Sequence, residues 1–407
     1  QYTDDLSLPG QVYGYVLRSP FAHALIRSVD STVARGAPGV LGVITSADLE
    51  AEEANSIPCL VPLDNRDGTT APLPVRPVLC SDRVRHVGDN VAFVIAETLI
   101  QAKDAAELIE VDYEALDATA DTIGALADDS PQVHDEASGN LAFDWGHGDE
   151  SKTKSAFETA AHVVSLKLIN NRLIVNSIET RAAIGEFDTN TGKATLHSCT
   201  QGGWLLKDQI ASHTLKVEPN MVRVLTPDVG GGFGMKTFYY PEQALCLWSA
   251  RRFERPVKWV GERGESFLSD TMGRDHVTEV EMAFDAEHRI VAMCVDTVAN
   301  MGAYLSNFAP FIPTLAAIKV MPGVYDVKSL YARVRGVFTH TVPIDAYRGA
   351  GRPESIYMIE RLMDKAAQVL SIDRVELRRK NFISPGRMPF TTAANEIYDS
   401  GDFERVI

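Results

Sequence analysis

The chain has 407 residues, of which 45% are hydrophobic and 23% charged, and a chain of this length is expected to form roughly two or three domains. Its 39 basic and 55 acidic residues give a net charge of −16, which disfavours binding to nucleic acid or to anionic membranes. The longest apolar runs, such as Asn90–Ala96, are strand-sized and too short to span a membrane.

Residues 1–117 are predicted to form one α+β unit. Its expected elements are strands at Gln11–Leu17 and Val40–Ile44, a helix at Ser46–Ala54 and a buried strand at Asn90–Ala96. Thr98 and Gln101 then form a capping-box pattern that opens a second helix, and a further short strand begins at Val111. A helix between two apolar strands predicts a βαβ-like arrangement.

Residues 118–150 are rich in Asp, Ala, Ser and Gly and are predicted to be a linker, so that a second, larger domain comprises residues 151–407. In that domain we expect a hairpin of Glu279–Phe284 and Arg289–Val298, and a long helix at Pro353–Leu370 with one apolar stripe. The last eight residues look like the start of a helix, so we expect either that the chain is cut here or that another polypeptide continues the fold.

Three loops carry the residues with chemical interest: Thr200–Trp204, Asp228–Lys236 and Asp345–Glu354. Successive glycines in the second loop expose backbone N–H groups to a ligand. A P-loop and a dinucleotide fingerprint each fail there by one residue, because Met235 stands where the motif needs another residue. A tight glycine turn that binds nothing stays open. Arg348, with glycines before a helix start, favours an anion, although a solvated arginine is the alternative.

The five cysteines are Cys59, Cys80, Cys199, Cys246 and Cys294. They contain no C-x-x-C pair, and the histidines show no metal-ligand spacing, so neither an iron–sulfur cluster nor a structural zinc site is expected on this chain. An odd number of cysteines without framework spacing, together with no recognisable signal peptide, predicts a cytoplasmic protein.

The loops and several shorter motifs together resemble the molybdenum hydroxylase family of xanthine dehydrogenases, aldehyde oxidases and their bacterial relatives. Resemblance to the family's N-terminal hammerhead domain is carried by Tyr2–Asp5, Leu17–Ala24 and Val87–Ala92. Resemblance to its first molybdopterin-binding domain is carried by Glu179–Ala183, Thr200-Gln201, Gly230–Gly234 and Ala346–Gly349. The implied fold is α+β, with an α/β hammerhead domain at 1–117 and the first molybdopterin-binding domain at 151–407. The second molybdopterin domain is expected to be absent from this chain.

The resemblance also implies a function. The family binds molybdenum on a molybdopterin, here either plain or as its cytosine dinucleotide, and hydroxylates an N-heterocycle or an aldehyde C–H with oxygen from water. Electrons pass to [2Fe–2S] clusters and FAD. The implied partners are a second molybdopterin-domain polypeptide, an iron–sulfur subunit and a FAD subunit. The catalytic base is expected to be a glutamate of the second molybdopterin domain, which leaves no catalytic residue and no direct metal ligand here. A non-catalytic hammerhead-type scaffold without cofactor is the alternative.

Position by position, the resemblance implies that the cofactor is bound by Gln201, Gly202, Gly231, Gly232, Phe233, Gly234 and Arg348. Thr237 and Ala350 are expected in the substrate pocket, where purine-oxidising relatives have a glutamate and a phenylalanine; a xanthine-type pocket is therefore not expected. Carbon monoxide dehydrogenases carry a cysteine directly after the loop arginine, where this chain has Gly349. Aldehydes and N-heterocycles remain as expected substrates.

Overall fold

The computed structural model describes all residues from Gln1 to Ile407. Its strands are β1 (Val12–Arg18), β2 (Ala24–Asp30), β3 (Val40–Ile44), β4 (Arg83–Val84), β5 (Asn90–Ala96), β6 (Glu110–Ala115), β7 (Leu141–Gly148), β8 (His162–Asn170), β9 (Ala182–Asp188), β10 (Lys193–Ser198), β11 (Val222–Leu225), β12 (Val257–Val260), β13 (His276–Phe284), β14 (Ile290–Gly302), β15 (Leu330–Phe338), β16 (Phe390–Thr391) and β17 (Ile397–Tyr398). Its helices are α1 (Thr32–Arg35), α2 (Ser46–Glu50), α3 (Leu99–Ala106), α4 (Glu150–Glu158), α5 (Gly203–Gln209), α6 (Pro241–Phe253), α7 (Arg263–Ser269), α8 (Arg352–Val369) and α9 (Arg374–Asn381). None of these helices is both long enough and apolar enough to cross a membrane.

One seven-stranded sheet joins the two parts of the chain, in the order β11-β10-β9-β12-β1-β5-β3. The joint is the parallel pairing of β1 with β12, where Val12 lies opposite Val257. The largest apolar core packs residues of both parts together, including Phe93 from β5 and Leu196 from β10. The two parts therefore share one sheet and the largest core, although each part also has a smaller core of its own.

A five-stranded sheet in the order β7-β15-β14-β13-β8 forms the second large layer. The predicted hairpin is present as β13 and β14, which pair antiparallel with Val280 opposite Val295. Helix α8 covers part of this sheet and buries Ile359, Leu362 and Met363 completely, because these residues lie three or four apart on one helix face.

Three local predictions need correction. The predicted linker ends in β7, which pairs with β15 in the five-stranded sheet, so residues 141–148 are not linker. The βαβ-like arrangement is wrong because β5 pairs with β1 and β3, whereas β6 pairs with β2 in a separate three-stranded sheet. The C-terminal residues form a short 3₁₀ turn at Phe403–Val406 without a side-chain cap.

A pair of histidines lies where the two parts of the chain meet. The rings of His23 and His340 are 4.0 Å apart. His23 Nδ1 bonds to the Asp117 carbonyl at 2.6 Å, and the Thr119 N–H donates to His340 Nδ1 at 3.1 Å. The Nε2 atom of each ring is buried without a hydrogen-bond partner. Burial, and then the neighbouring His23, lower the pKa of His340 from 6.5 to about 3.

We expect this histidine pair to make the folded chain less stable in acid. His340 stays neutral in the folded chain while the unfolded chain takes up a proton below pH 6.5, so stability falls as the pH drops from 6.5 towards about 3. Burial lowers the pKa of His23 too, which acts in the same direction. Urea unfolding between pH 7 and pH 4 measures this, with His340→Gln as the comparison. We expect a shallower pH dependence in the variant; an identical slope would contradict the assignment.

Candidate cofactor-binding site

The three loops predicted from the sequence meet on one surface. The first follows β10 and leads into α5, the second follows β11, and the third leads into α8. The side-chain oxygen of Gln201 accepts a hydrogen bond of 2.9 Å from the Gly234 N–H. A Cβ on Gly234 would lie 2.8 Å from the Ala346 carbonyl oxygen, so the second loop contacts the third as closely as it contacts the first.

At two positions of the second loop, neighbouring side chains occupy the space that a Cβ would take. A Cβ on Gly232 would lie 2.3 Å from Gln201 Oε1, and a Cβ on Gly231 would lie 2.9 Å from the Phe233 ring. Phe233 itself adopts a left-handed backbone with a φ of 52°, and its side chain is exposed. The loop therefore presents its backbone and one aromatic ring outward while it is supported from below by Gln201.

The third loop places Arg348 on the surface. Gly349, Ala350 and Gly351 have φ values of 96°, 46° and 83°, a left-handed run that turns the chain sharply into α8. The Arg348 carbonyl accepts a 2.9 Å hydrogen bond from Arg274 Nη2, whereas its own guanidinium is exposed and has no acceptor within the chain. The backbone of Arg348 is thus held in place by Arg274, while its cationic side chain is exposed and unpaired.

Arg274 fixes that position through a buried ion pair. Its Nη1 donates to Glu354 at 2.7 Å, and both side chains are almost fully buried. Glu354 therefore has a structural partner and is not available as a base at the loop surface. The sequence marks Glu354 only as the end of the third loop and does not identify this arginine, because the two residues are 80 positions apart.

Asp345 begins the third loop and is completely buried. It accepts hydrogen bonds from the N–H groups of Ala346 at 2.7 Å and Phe308 at 3.0 Å. Burial raises the pKa of Asp345 to about 6, although these hydrogen bonds oppose the shift. In the sequence, Asp345 is marked only by its position as an acidic residue at the start of a glycine-rich loop, which does not indicate that it is buried.

The predicted site residues fall into two groups. Gln201, Gly232 and Gly234 are in direct contact, and Gly202 lies against Thr237 of the predicted substrate pocket, since a Cβ there would be 3.4 Å from the Thr237 carbonyl oxygen. Arg348 and the predicted pocket residue Ala350 lie on the third loop, which meets the second loop where Ala346 lies against Gly234.

The exposed groups of these loops suit an oxygen-rich, anionic ligand. Gln201 uses its oxygen on Gly234, which leaves its NH₂ group as a free donor, and Arg348 adds an unpaired cation. No cluster of three or more His, Cys, Asp or Glu side chains that could hold a metal is present.

Family models identify the chain. A model described as the molybdopterin cofactor-binding domain matches residues 133–382. A model described as the a/b hammerhead domain of aldehyde oxidase and xanthine dehydrogenase matches residues 1–117. The chain belongs to the molybdenum hydroxylase large-subunit family. The predicted family and the predicted α+β fold, a hammerhead domain followed by a molybdopterin-binding domain, are thereby confirmed.

Individual relatives agree with this family assignment. It is 31% identical to the carbon monoxide dehydrogenase large chain of Hydrogenophaga pseudoflava, over 100% of this chain and 51% of the relative. It is 30% identical to the nicotine 6-hydroxylase large subunit of Paenarthrobacter nicotinovorans, over 100% and 49% of the two chains. The structure of quinoline 2-oxidoreductase from Pseudomonas putida 86 superposes with a TM-score of 0.91 at 30% identity, covering 99% of this chain and 50% of the other. The chain thus spans about half the length of these relatives.

Proposed function

We propose that this chain forms the molybdopterin-binding part of a hydroxylase that acts on an N-heterocycle or an aldehyde C–H. The bound cofactor, plain or as its cytosine dinucleotide, supplies the two-electron oxidation of the carbon and the transfer of water-derived oxygen. Electrons leave to [2Fe–2S] and FAD groups on partner subunits, and a second molybdopterin-domain polypeptide completes the site. The chain's own residues bind and orient the cofactor.

The contact between Gln201 and the second loop carries this proposal. Because the Gln201 oxygen accepts from the Gly234 N–H, its amide NH₂ is left free and would donate to an oxygen of the cofactor. The glycine loop would let the cofactor approach to backbone distance beside the exposed Phe233 ring. The Arg348 guanidinium would stabilise negative charge on the cofactor. Each residue acts as an orienting or electrostatic group, so none needs to exchange a proton.

The residues around the expected pocket favour small or flat substrates other than purines. Thr237 offers a hydroxyl where a purine pocket needs a carboxylate, and Ala350 offers no ring for stacking. The named relatives include a nicotine 6-hydroxylase large subunit and a quinoline 2-oxidoreductase. Nicotine and quinoline are N-heterocycles, and this favours the same substrate class. Gly349 provides no thiolate for a copper ion, so oxidation of carbon monoxide is not proposed.

Metal and pterin measurement on the natively isolated complex tests the proposal. We expect one molybdenum and one pterin for each copy of this chain, together with co-purifying iron–sulfur and flavin polypeptides. Absence of molybdenum from a complex whose partners are all present would favour the scaffold alternative.

Replacement of Arg348 by alanine is expected to lower molybdenum content or turnover about tenfold or more, because it removes the free cation beside an anionic ligand. The thermal unfolding midpoint should not change, since the guanidinium has no partner within the chain. Arg361→Ala, which removes another exposed arginine, one that pairs with Asp364 on α8 at 3.8 Å, is the control. Wild-type molybdenum content and turnover in Arg348→Ala would refute this role.

A further inference from the structure

Lys236 lies directly beneath the candidate site and is almost entirely buried, with 1% of its side chain exposed. Its ammonium donates to the Glu179 carboxylate at 2.8 Å and to the Glu179 carbonyl at 2.8 Å. A buried lysine is costly unless its charge is paired and its donors are used. Glu179, which is distant in sequence, meets both conditions: its carboxylate pairs the charge, and its carboxylate and carbonyl oxygens accept from the ammonium.

The backbone of Lys236 holds a different part of the site. Its carbonyl accepts hydrogen bonds from the Gln201 N–H at 3.0 Å and from the Thr200 hydroxyl at 3.0 Å. One residue therefore ties the glycine loop to Gln201 through its main chain and to Glu179 through its side chain. Movement of Lys236 would move Gln201 with it.

Glu179 completes the connection from the other side. Its Oε2 accepts a 2.7 Å hydrogen bond from the Gly230 N–H, and its own N–H donates to the Gly230 carbonyl at 3.1 Å. A Cβ on Gly230 would lie 2.4 Å from the Glu179 Cβ, so the two segments are in close contact. Its other oxygen, Oε1, is buried without a donor, which makes the carboxylate depend on Lys236 and Gly230.

We propose that Lys236 and Glu179 form a positioning pair, which sets the location of Gln201 and of the Gly230–Gly234 backbone relative to the cofactor. The pair acts through the loops and does not touch the ligand, because both side chains are buried below them. The effect on the cofactor rests on the proposed function; the effect on the loops does not. Loss of the ammonium leaves a buried carboxylate without its cation, and the second loop shifts to admit water to it.

Lys236→Met in the native complex tests this pair. We expect the Gly230 and Gly234 amides to exchange hydrogen at least about tenfold faster than in wild type. We also expect the molybdenum(V) electron paramagnetic resonance signal of bound metal to change its g values, and kcat to fall with KM little changed. The matched control is Lys258→Met: Lys258 is also buried, and it donates to the Leu6 carbonyl at 3.1 Å and pairs with Asp4 at 2.9 Å. The partners of Lys258 lie outside the three loops. The Lys258→Met variant should therefore lose stability without a change in amide exchange of the second loop, in the resonance signal or in kcat.

The double variant Glu179→Gln with Lys236→Met keeps the test decisive if the single variant fails to fold. It removes both charges, so we expect the unfolding midpoint to recover while amide exchange stays fast and the resonance signal stays altered. Wild-type exchange and a wild-type signal in a folded variant would overturn the proposal. If the wild-type complex holds no molybdenum, the proposed function fails, and amide exchange alone then decides whether the pair positions the loops.

Discussion

Glu242→Gln is expected to lower the free energy of unfolding by about 3–5 kcal/mol, the range for removing one partner of a buried ion pair. Glu242 lies on α6 with 1% of its side chain exposed. It accepts hydrogen bonds of 2.6 Å from Arg18 and 2.6 Å from Arg181. The variant leaves two buried guanidinium groups with only Glu265 and Asp270 as acidic partners.

The position of this network explains the size of the effect. Arg18 comes from β1 in the hammerhead part, whereas Glu242 and Arg181 belong to the second part, so the network joins the two across their shared sheet. Burial raises the pKa of Glu242, but Arg181 and Arg18 outweigh it and lower the pKa to about 2. The carboxylate is therefore charged at all ordinary pH values, and its contribution to stability, present above its unfolded pKa of 4.5, is lost only as the pH falls towards 2.

The denaturation midpoints of the two variants Glu242→Gln and Glu97→Gln separate the effect of losing a buried carboxylate from the effect of losing an exposed one. Glu97 also joins the hammerhead part to the second part, through two hydrogen bonds to Arg255 of 2.7 and 2.8 Å, but that pair is exposed. Solvent screens an exposed pair, so we expect little change in the denaturation midpoint. Equal effects of the two substitutions would show that burial of the network contributes nothing beyond its hydrogen bonds.

The elements that could be predicted from the sequence are those with a local signal. Helix α8 follows from its apolar spacing, and the start of α3 from Thr98, whose side chain accepts a hydrogen bond of 3.2 Å from the Gln101 N–H. The predicted apolar stripe is not buried along its whole length, since Ile356 near the start of α8 is 43% exposed. Pairing partners have no such signal: β1 pairs with β12 across more than half of the chain, and nothing in either strand specifies the other.

The site divides in the same way. The glycines of the second loop and Gln201 could be located because their motifs resemble a known family, and the structure brings Gln201, Gly232 and Gly234 together. Lys236 and Glu179 could not be joined from the sequence, since their contact spans 57 positions and each residue taken singly looks like an ordinary surface charge. The two residues form an ion pair because the fold buries them together, and which residues are buried together depends on the whole fold.

Gly232→Ala is expected to abolish the function of the site while leaving the fold intact. The added Cβ would lie 2.3 Å from Gln201 Oε1 and 2.4 Å from its Cδ, so the Gln201 amide must leave. Gly232 has no left-handed backbone, and the atoms in the way belong to the end of a flexible side chain, so alanine causes little backbone strain. Loss of one preorganised donor typically costs about 10²–10³ in kcat.

Turnover and molybdenum content of Gly232→Ala, compared with Gly203→Ala, measure this effect in the native complex. A Cβ on Gly203 would meet nothing closer than Val224 at 3.7 Å, and alanine suits the first turn of α5. We expect the control to match wild type in both readouts, whereas Gly232→Ala keeps a wild-type unfolding midpoint and loses turnover. If Gly232→Ala turns over normally, the Gln201 amide is not the group that orients the cofactor. The group that orients the cofactor would then be the Arg348 guanidinium or an N–H group of the second-loop backbone. These are the other unpaired donors among the predicted residues on this surface.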